Sequence, residues 1–81
     1  MVEVYLQYPD YSTRTGSAVE SLGMCATNRE VRELINKDAK NFWGDVVVNQ
    51  GNGNYTLCVN TTQGPKPIKD WFYFTRSIDN G

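Results

Sequence analysis

A strict alternation of apolar and polar residues opens the chain. In VEVYLQY, residues 2–8, Val2, Val4 and Leu6 recur at every second position, which is the period at which side chains leave the same face of a strand. Pro9 follows and cannot donate a hydrogen bond to a sheet ladder. This segment therefore predicts a strand with one clearly apolar face, ending at Pro9.

A helical pattern appears next, in residues 28–42. Thr27 stands three residues before Glu30, the spacing of a capping box at a helix start. Apolar residues then recur at helical spacing: Val31, Leu34, Ile35 and Ala39. The spacing predicts the main helix of the protein.

A second capping-box spacing precedes the first. Ser17 stands three residues before Glu20, and Gly23 follows, a residue that readily adopts the left-handed conformation at a helix C-terminus. We therefore expect a short helical turn over residues 18–22.

The remaining sequence predicts three strands. Residues 45–60 contain two β-rich runs around Gly51-Asn52-Gly53, which indicates a hairpin with a tight turn. Two prolines predict a loop over residues 61–69, and residues 70–78 form the last strand. The chain is predicted to be one α+β domain, residues 1–81, of order β-α-α-β-β-β. Its main helix and short helical turn would pack on a mostly antiparallel four-stranded sheet.

The last strand, DWFYFTRSI, poses a problem of sheet faces. Phe72 and Phe74 are purely apolar, so we expect them on the helix side. Trp71 and Tyr73 carry an N–H and an O–H that need a partner or water, which favours a partly hydrated opposite face. The residues predicted on that opposite face are Tyr5, Val47, Cys58, Trp71 and Tyr73. Three covers are open for this face: the polar loops 9–16 and 61–69, a second copy of the chain, or another protein.

Composition narrows the functional classes. The net charge is −1 with charges scattered singly, so no basic run marks a nucleic-acid footprint. No signal peptide or membrane-spanning stretch is visible, and a cytoplasmic location with reduced cysteines is expected. The chain begins at Met1 with a strand, and we expect a complete short reading frame of the kind encoded by phages and mobile elements.

Catalytic chemistry finds little support in the residues. The chain has no histidine, the usual general base near neutral pH and the commonest metal ligand. Cys25 lies just before the main helix with Arg29 and Arg32 nearby, but the spacing of a phosphatase-like Cys and Arg is not met. We therefore expect no catalytic residue, no metal site, no cofactor and no enzymatic activity.

One weaker site candidate is an anion-binding helix N-terminus. The run STRTGS leads into the predicted helical turn and contains Arg14, Thr15 and Ser17. Backbone N–H groups, a guanidinium and hydroxyls in that arrangement can hold an anion, although capping alone also explains these residues.

The functional hypothesis is a protein-binding module that occupies a partner's surface, as an inhibitor or adaptor. Aromatic residues and arginine are typical of interface hot spots. The predicted contact residues are Trp71, Tyr73, Arg76, Tyr5, Lys66 and Lys69. The partner would be another protein or a second copy of the chain. Alternatives are a single-stranded nucleic-acid binder that stacks bases on the same aromatics, or a self-associating assembly protein.

Overall fold

The structure is a computed structural model that describes residues 1–42 and 46–78. Its elements are β1 (Val2–Pro9), β2 (Ser17–Cys25), α1 (Asn28–Ala39), β3 (Val46–Gly51), β4 (Asn54–Thr61) and β5 (Gly64–Ser77). Within these residues the strands form one sheet of order β2-β1-β5-β4-β3, and all neighbouring strands are antiparallel. None of the described helices is long and apolar enough to cross a membrane.

The core lies between α1 and one side of the sheet, which we call the helix face. Its fully buried residues come from β1, β4, β5 and α1: Val4, Leu6, Val31, Ile35, Leu57 and Tyr73. The other side of the sheet, which we call the open face, presents the alternate residues of the same strands, such as Tyr5, Phe72 and Phe74. No helix of the described residues packs on the open face. Only the side chains of the helix face therefore contribute apolar surface to this core.

The predicted main helix is confirmed. Thr27 Oγ1 accepts a hydrogen bond from the Glu30 backbone N–H at 3.2 Å, and Glu30 Oε2 accepts one from the Ala26 N–H at 2.9 Å. The first contact satisfies an N–H group that the first helical turn leaves without a partner, and the second holds the Glu30 side chain against the residue before the cap. Val31 and Ile35, on the predicted apolar stripe, are buried.

The hairpin prediction is also confirmed for the described residues. β3 and β4 are joined by Asn52 and Gly53, with φ of 55° and 78°. Positive φ at both central residues is the requirement of a type I′ turn, whose twist matches that of the flanking strands. Asp45, the predicted first residue of the hairpin, lies outside the described residues.

The predicted fold class is wrong, because the sheet has five strands and α1 is the single described helix. Residues 18–22 belong to β2, which pairs with β1 along its whole length. Five residues cannot offset the cost of nucleating a helix, whereas the ladder with β1 satisfies the backbone of the segment. Gly23, with φ of 130°, lies beside a β-bulge at Leu22 rather than at a helix end.

The predicted loop over residues 61–69 is likewise mostly strand. β5 begins at Gly64 and includes Pro65 and Pro67. At these prolines β5 pairs with β4, while its pairing with β1 begins only at Phe72. Proline is tolerated there because an edge segment has no second ladder that would need its N–H.

The predicted faces of the last strand are reversed. Tyr73 is fully buried on the helix face, whereas Phe72 is 40% exposed on the open face. The Tyr73 hydroxyl donates a hydrogen bond to Asp38 Oδ2 of α1 at 2.9 Å. Burial and this hydrogen bond raise the pKa of Tyr73. Because the helix supplies an acceptor, the phenol loses no hydrogen bond on burial, and the reason for placing it near water disappears.

The same reversal affects β3. Val47 packs against the core, although it was predicted on the opposite face. Val46 and Val48 pair with Cys58 and Thr56, and directly paired residues of an antiparallel ladder share a face. Val46 and Val48 therefore lie on the open face.

Candidate functional site

The open face carries a ladder of aromatic residues across the two central strands. Tyr5 of β1 lies opposite Phe74 of β5, and Gln7 lies opposite Phe72. The Tyr5 and Phe74 rings stack with centroids 5.0 Å apart and planes 17° apart. Phe72 projects beside this pair with 40% of its surface exposed. The stacked pair and the more exposed Phe72 thus lie together on the open face.

A polar cluster fixes one end of this ladder. The Tyr5 hydroxyl donates to Glu3 Oε1 at 2.8 Å, and Ser21 Oγ donates to Glu3 Oε2 at 2.5 Å. The hydrogen bond from Ser21, then that from Tyr5, lowers the pKa of Glu3, and the bond to Glu3 raises the pKa of Tyr5. Glu3 is therefore a carboxylate at neutral pH, and the Tyr5 ring is held in one orientation.

Arg76 completes that end of the face. It lies directly opposite Glu3 in the ladder, and its guanidinium carbon is 6.0 Å from the centroid of the Tyr5 ring. This distance is at the limit of a cation–π contact. The carboxylate of Glu3, opposite Arg76 in the ladder, offsets the positive charge of Arg76.

A groove of about 640 Å³ continues the face toward β3 and β4. The described residues that line it include no charged side chain: Gln7, Val48, Gln50, Asn54, Tyr55, Thr56, Cys58, Pro65, Pro67, Phe72, Tyr73 and Phe74. This volume lies within the range of sites that bind small molecules or partner side chains. Its apolar surface with amide and hydroxyl groups suits an apolar side chain next to polar backbone.

The predicted contact residues are divided between the two faces. Tyr5 and Arg76 lie on the open face. Trp71 packs on the helix side, where its ring centroid lies 4.8 Å from that of Phe42 and 5.8 Å from that of Tyr8. Tyr73 borders the groove but is fully buried, so its side chain offers no exposed surface to a partner.

The two predicted lysines lie apart from the aromatic ladder. Lys66 and Lys69 are exposed in the first half of β5, and Lys66 pairs with Val59 of β4. Neither lysine lines the groove. The structure therefore does not join them with Tyr5 and Arg76 into one charged rim.

The predicted anion site loses its structural basis. The connection between β1 and β2 contains Arg14 and Thr15, and Ser17 is the first residue of β2. The expected helical turn is replaced by the start of this strand. The Asp10 carboxylate sits in this connection and accepts hydrogen bonds from Ser12, which lower the pKa of Asp10. This described segment contains no helix N-terminus that could bind an anion. The Asp10 carboxylate in the connection would also repel an anion.

Cys25 is not an activated thiol. It is 4% exposed, and burial, then the charge of Glu30, raises its pKa. A reactive cysteine requires the opposite, a lowered pKa in an accessible, electropositive setting. Among residues 1–42 and 46–78, no three His, Cys, Asp or Glu side chains are grouped as metal ligands would be.

Sequence reasoning missed Phe72 and Phe74 as surface residues, because both faces of the last strand are aromatic. It also missed Val19 and Met24, which are 55% and 48% exposed on β2. A strand pattern in residues 17–25 was the available signal for this pair, but the capping-box spacing at Ser17 obscured it.

The described residues of the open face thus combine stacked aromatic rings, a groove without charged lining residues and one pair of opposite charges. Its buried thiol, Cys58, lines the groove, and burial raises the pKa of that thiol.

Other proteins give no further guidance. No family model matches the sequence, and no curated protein or solved structure matches it.

Proposed function

We propose that this chain is a non-enzymatic binding module that recognises another protein with its open face, as an inhibitor or an adaptor. The observation that carries the proposal is Phe72, a phenylalanine 40% exposed beside the stacked Tyr5–Phe74 pair. Burying an exposed aromatic side chain is worth roughly 1 kcal/mol or more. A protein partner that covered Phe72 would gain this free energy.

The composition of the open face supports a protein partner. Interface cores are depleted in charged residues and enriched in aromatic residues, methionine and arginine. The open face combines Tyr5, Phe72 and Phe74 with Met24 and Arg76. The Tyr5 side chain is already held by its hydrogen bond to Glu3. Binding a partner would therefore cost little conformational entropy at Tyr5.

The charges of the same face argue against single-stranded nucleic acid. Proteins that stack bases on aromatic rings normally add a positive groove that follows the phosphates. In this chain Arg76 lies opposite Glu3, none of the described residues that line the groove is charged, and the whole chain has a net charge of −1.

A cytoplasmic location is part of the proposal. Cys25 and Cys58 are both free and buried. Free thiols are typical of proteins kept in a reducing compartment.

The test is affinity capture from a lysate of the source cells, quantified by mass spectrometry. The decisive variant is Phe72→Asp, which places a charge in the middle of the open face. The matched control is Tyr11→Asp, which makes a similar aromatic-to-acid change at a residue 87% exposed, in the β1–β2 connection. Circular dichroism first establishes that both variants fold.

We expect one protein to be captured by the wild type and by Tyr11→Asp, and at least about tenfold less of it by Phe72→Asp. Equal capture by all three chains would refute the proposed face. Binding to a single-stranded oligonucleotide that weakens steeply with salt, and is lost in Phe72→Asp, would assign the face to nucleic acid instead.

A further inference from the structure

The sheet has two edges, and the sequence protects them unequally. β2 and β3 are the outer strands, so one side of each has backbone N–H and C=O groups that no strand of residues 1–42 or 46–78 pairs with. Such edges are usually protected by bulges, charged residues or proline, which discourage pairing with another chain. β2 has two of these devices: the bulge at Leu22 with Gly23 at φ 130°, and the charge of Glu20.

β3 has neither a charge nor a proline. Its sequence is VVVNQG, Val46–Gly51, with three consecutive β-branched residues and two uncharged amides. Its register with β4 is regular from Val46 to Asn49 and shifts only next to the turn. Segments of this composition have a high tendency to pair with other strands.

We propose that β3 pairs antiparallel with β3 of a second copy, about a two-fold axis, to form a continuous ten-stranded sheet. An axis passing beside Val47 would place Val46 of one copy opposite Val48 of the other. Both residues lie on the open face, and β-branched side chains pair favourably across strands. A strand that carries no charge meets its own copy without like-charge repulsion, which is why a second copy is the chosen occupant.

The size of β3 limits the strength of this pairing. Six residues form few ladder hydrogen bonds, and interfaces below the standard size are weak or transient. The expected dimer is therefore a weak one whose population rises with protein concentration. A two-fold axis perpendicular to the sheet would leave both open faces on the same side. Self-association through β3 does not depend on the function proposed for those faces.

Sedimentation equilibrium over a concentration series tests the proposal, with hydrogen exchange of the β3 amides as the second measurement. Val46→Lys introduces a charge on the β3 edge outside the groove lining. Val19→Lys is the matched control, since it makes the same change on the open face of the other edge strand, β2. Phe72→Asp tests for dimers that form through the open face instead.

We expect the average mass of the wild type to rise toward that of a dimer, and the β3 amides to become protected over the same concentrations. Val46→Lys should raise the dissociation constant about tenfold or more, whereas Val19→Lys and Phe72→Asp should leave it unchanged. A wild type that stays monomeric throughout overturns the proposal. So does a dimer that Phe72→Asp dissociates while the β3 amides exchange independently of concentration.

Discussion

Tyr73 and Phe72 are neighbours in the chain that face opposite sides of the sheet, so truncating them should have very different effects. Tyr73 has no exposed surface, whereas Phe72 is 40% exposed. We compare Tyr73→Ala with Phe72→Ala, since each removes one aromatic ring from adjacent positions of the same strand.

Tyr73→Ala should lower the free energy of unfolding several times more than Phe72→Ala. Truncating a buried aromatic residue to alanine costs about 3–5 kcal/mol, and the hydrogen bond from Tyr73 to Asp38 adds roughly 1 kcal/mol. A chain of 81 residues has a total stability of about 4–12 kcal/mol. Tyr73→Ala should therefore remove between about a third and all of this stability. Phe72→Ala should cost only about 1 kcal/mol, because the partly exposed ring gains little from burial.

Urea denaturation followed by far-ultraviolet circular dichroism measures both values. Tyr73→Phe, which keeps the ring and removes only the hydroxyl, serves as the folded reference and should cost about 1 kcal/mol. If Phe72→Ala costs as much as Tyr73→Ala, or more, then the assignment of Tyr73 to the helix face and Phe72 to the open face is wrong. The open face would then be part of the core and could not bind a partner.

Two further predictions concern the turn and the buried tyrosine. Gly53→Ala should destabilise the fold by about 1 kcal/mol or more beyond Gly51→Ala in urea titrations. Both glycines have positive φ, but only at Gly53 would an added Cβ collide with Thr75; equal losses would contradict this. Burial, then the bond to Asp38, raises the pKa of Tyr73 from 10.0. The contribution of Tyr73 to the unfolding free energy should be constant near neutral pH and fall above about pH 10, by up to about 1.4 kcal/mol per pH unit. Tyr73→Phe should make the slope of unfolding free energy against pH shallower than that of the wild type. An unchanged slope would show that Tyr73 does not cause the loss of stability.

The sequence by itself determined the elements whose signals are local. Thr27 and Glu30 identify the start of α1, and Asn52-Gly53 identifies the hairpin turn, because capping and turn chemistry are completed within a few residues. The alternation of β1 was equally clear, since each apolar residue on one face has a polar neighbour on the other. No distant contact was needed for these assignments.

The candidate site was predicted only in part, for reasons that lie outside the local sequence. Tyr5 and Arg76 were predicted to be surface residues, and both lie on the open face. Phe72 and Phe74 were not, because a strand with aromatic residues on both faces gives no preference for either orientation. Val19 and Met24 were missed for a different reason: the spacing of Ser17 and Glu20 fits a helix start as well as a strand.

The tertiary structure decided what the local patterns left open. Residues 17–25 became a strand because β1 offered a ladder along their whole length, which a five-residue helical turn could not match. Tyr73 turned inward because Asp38, 35 positions away in the chain, accepts its hydrogen bond. That acceptor lies on the helix, and only the folded chain brings the two together. The same contact that buries Tyr73 leaves Phe72 on the open face.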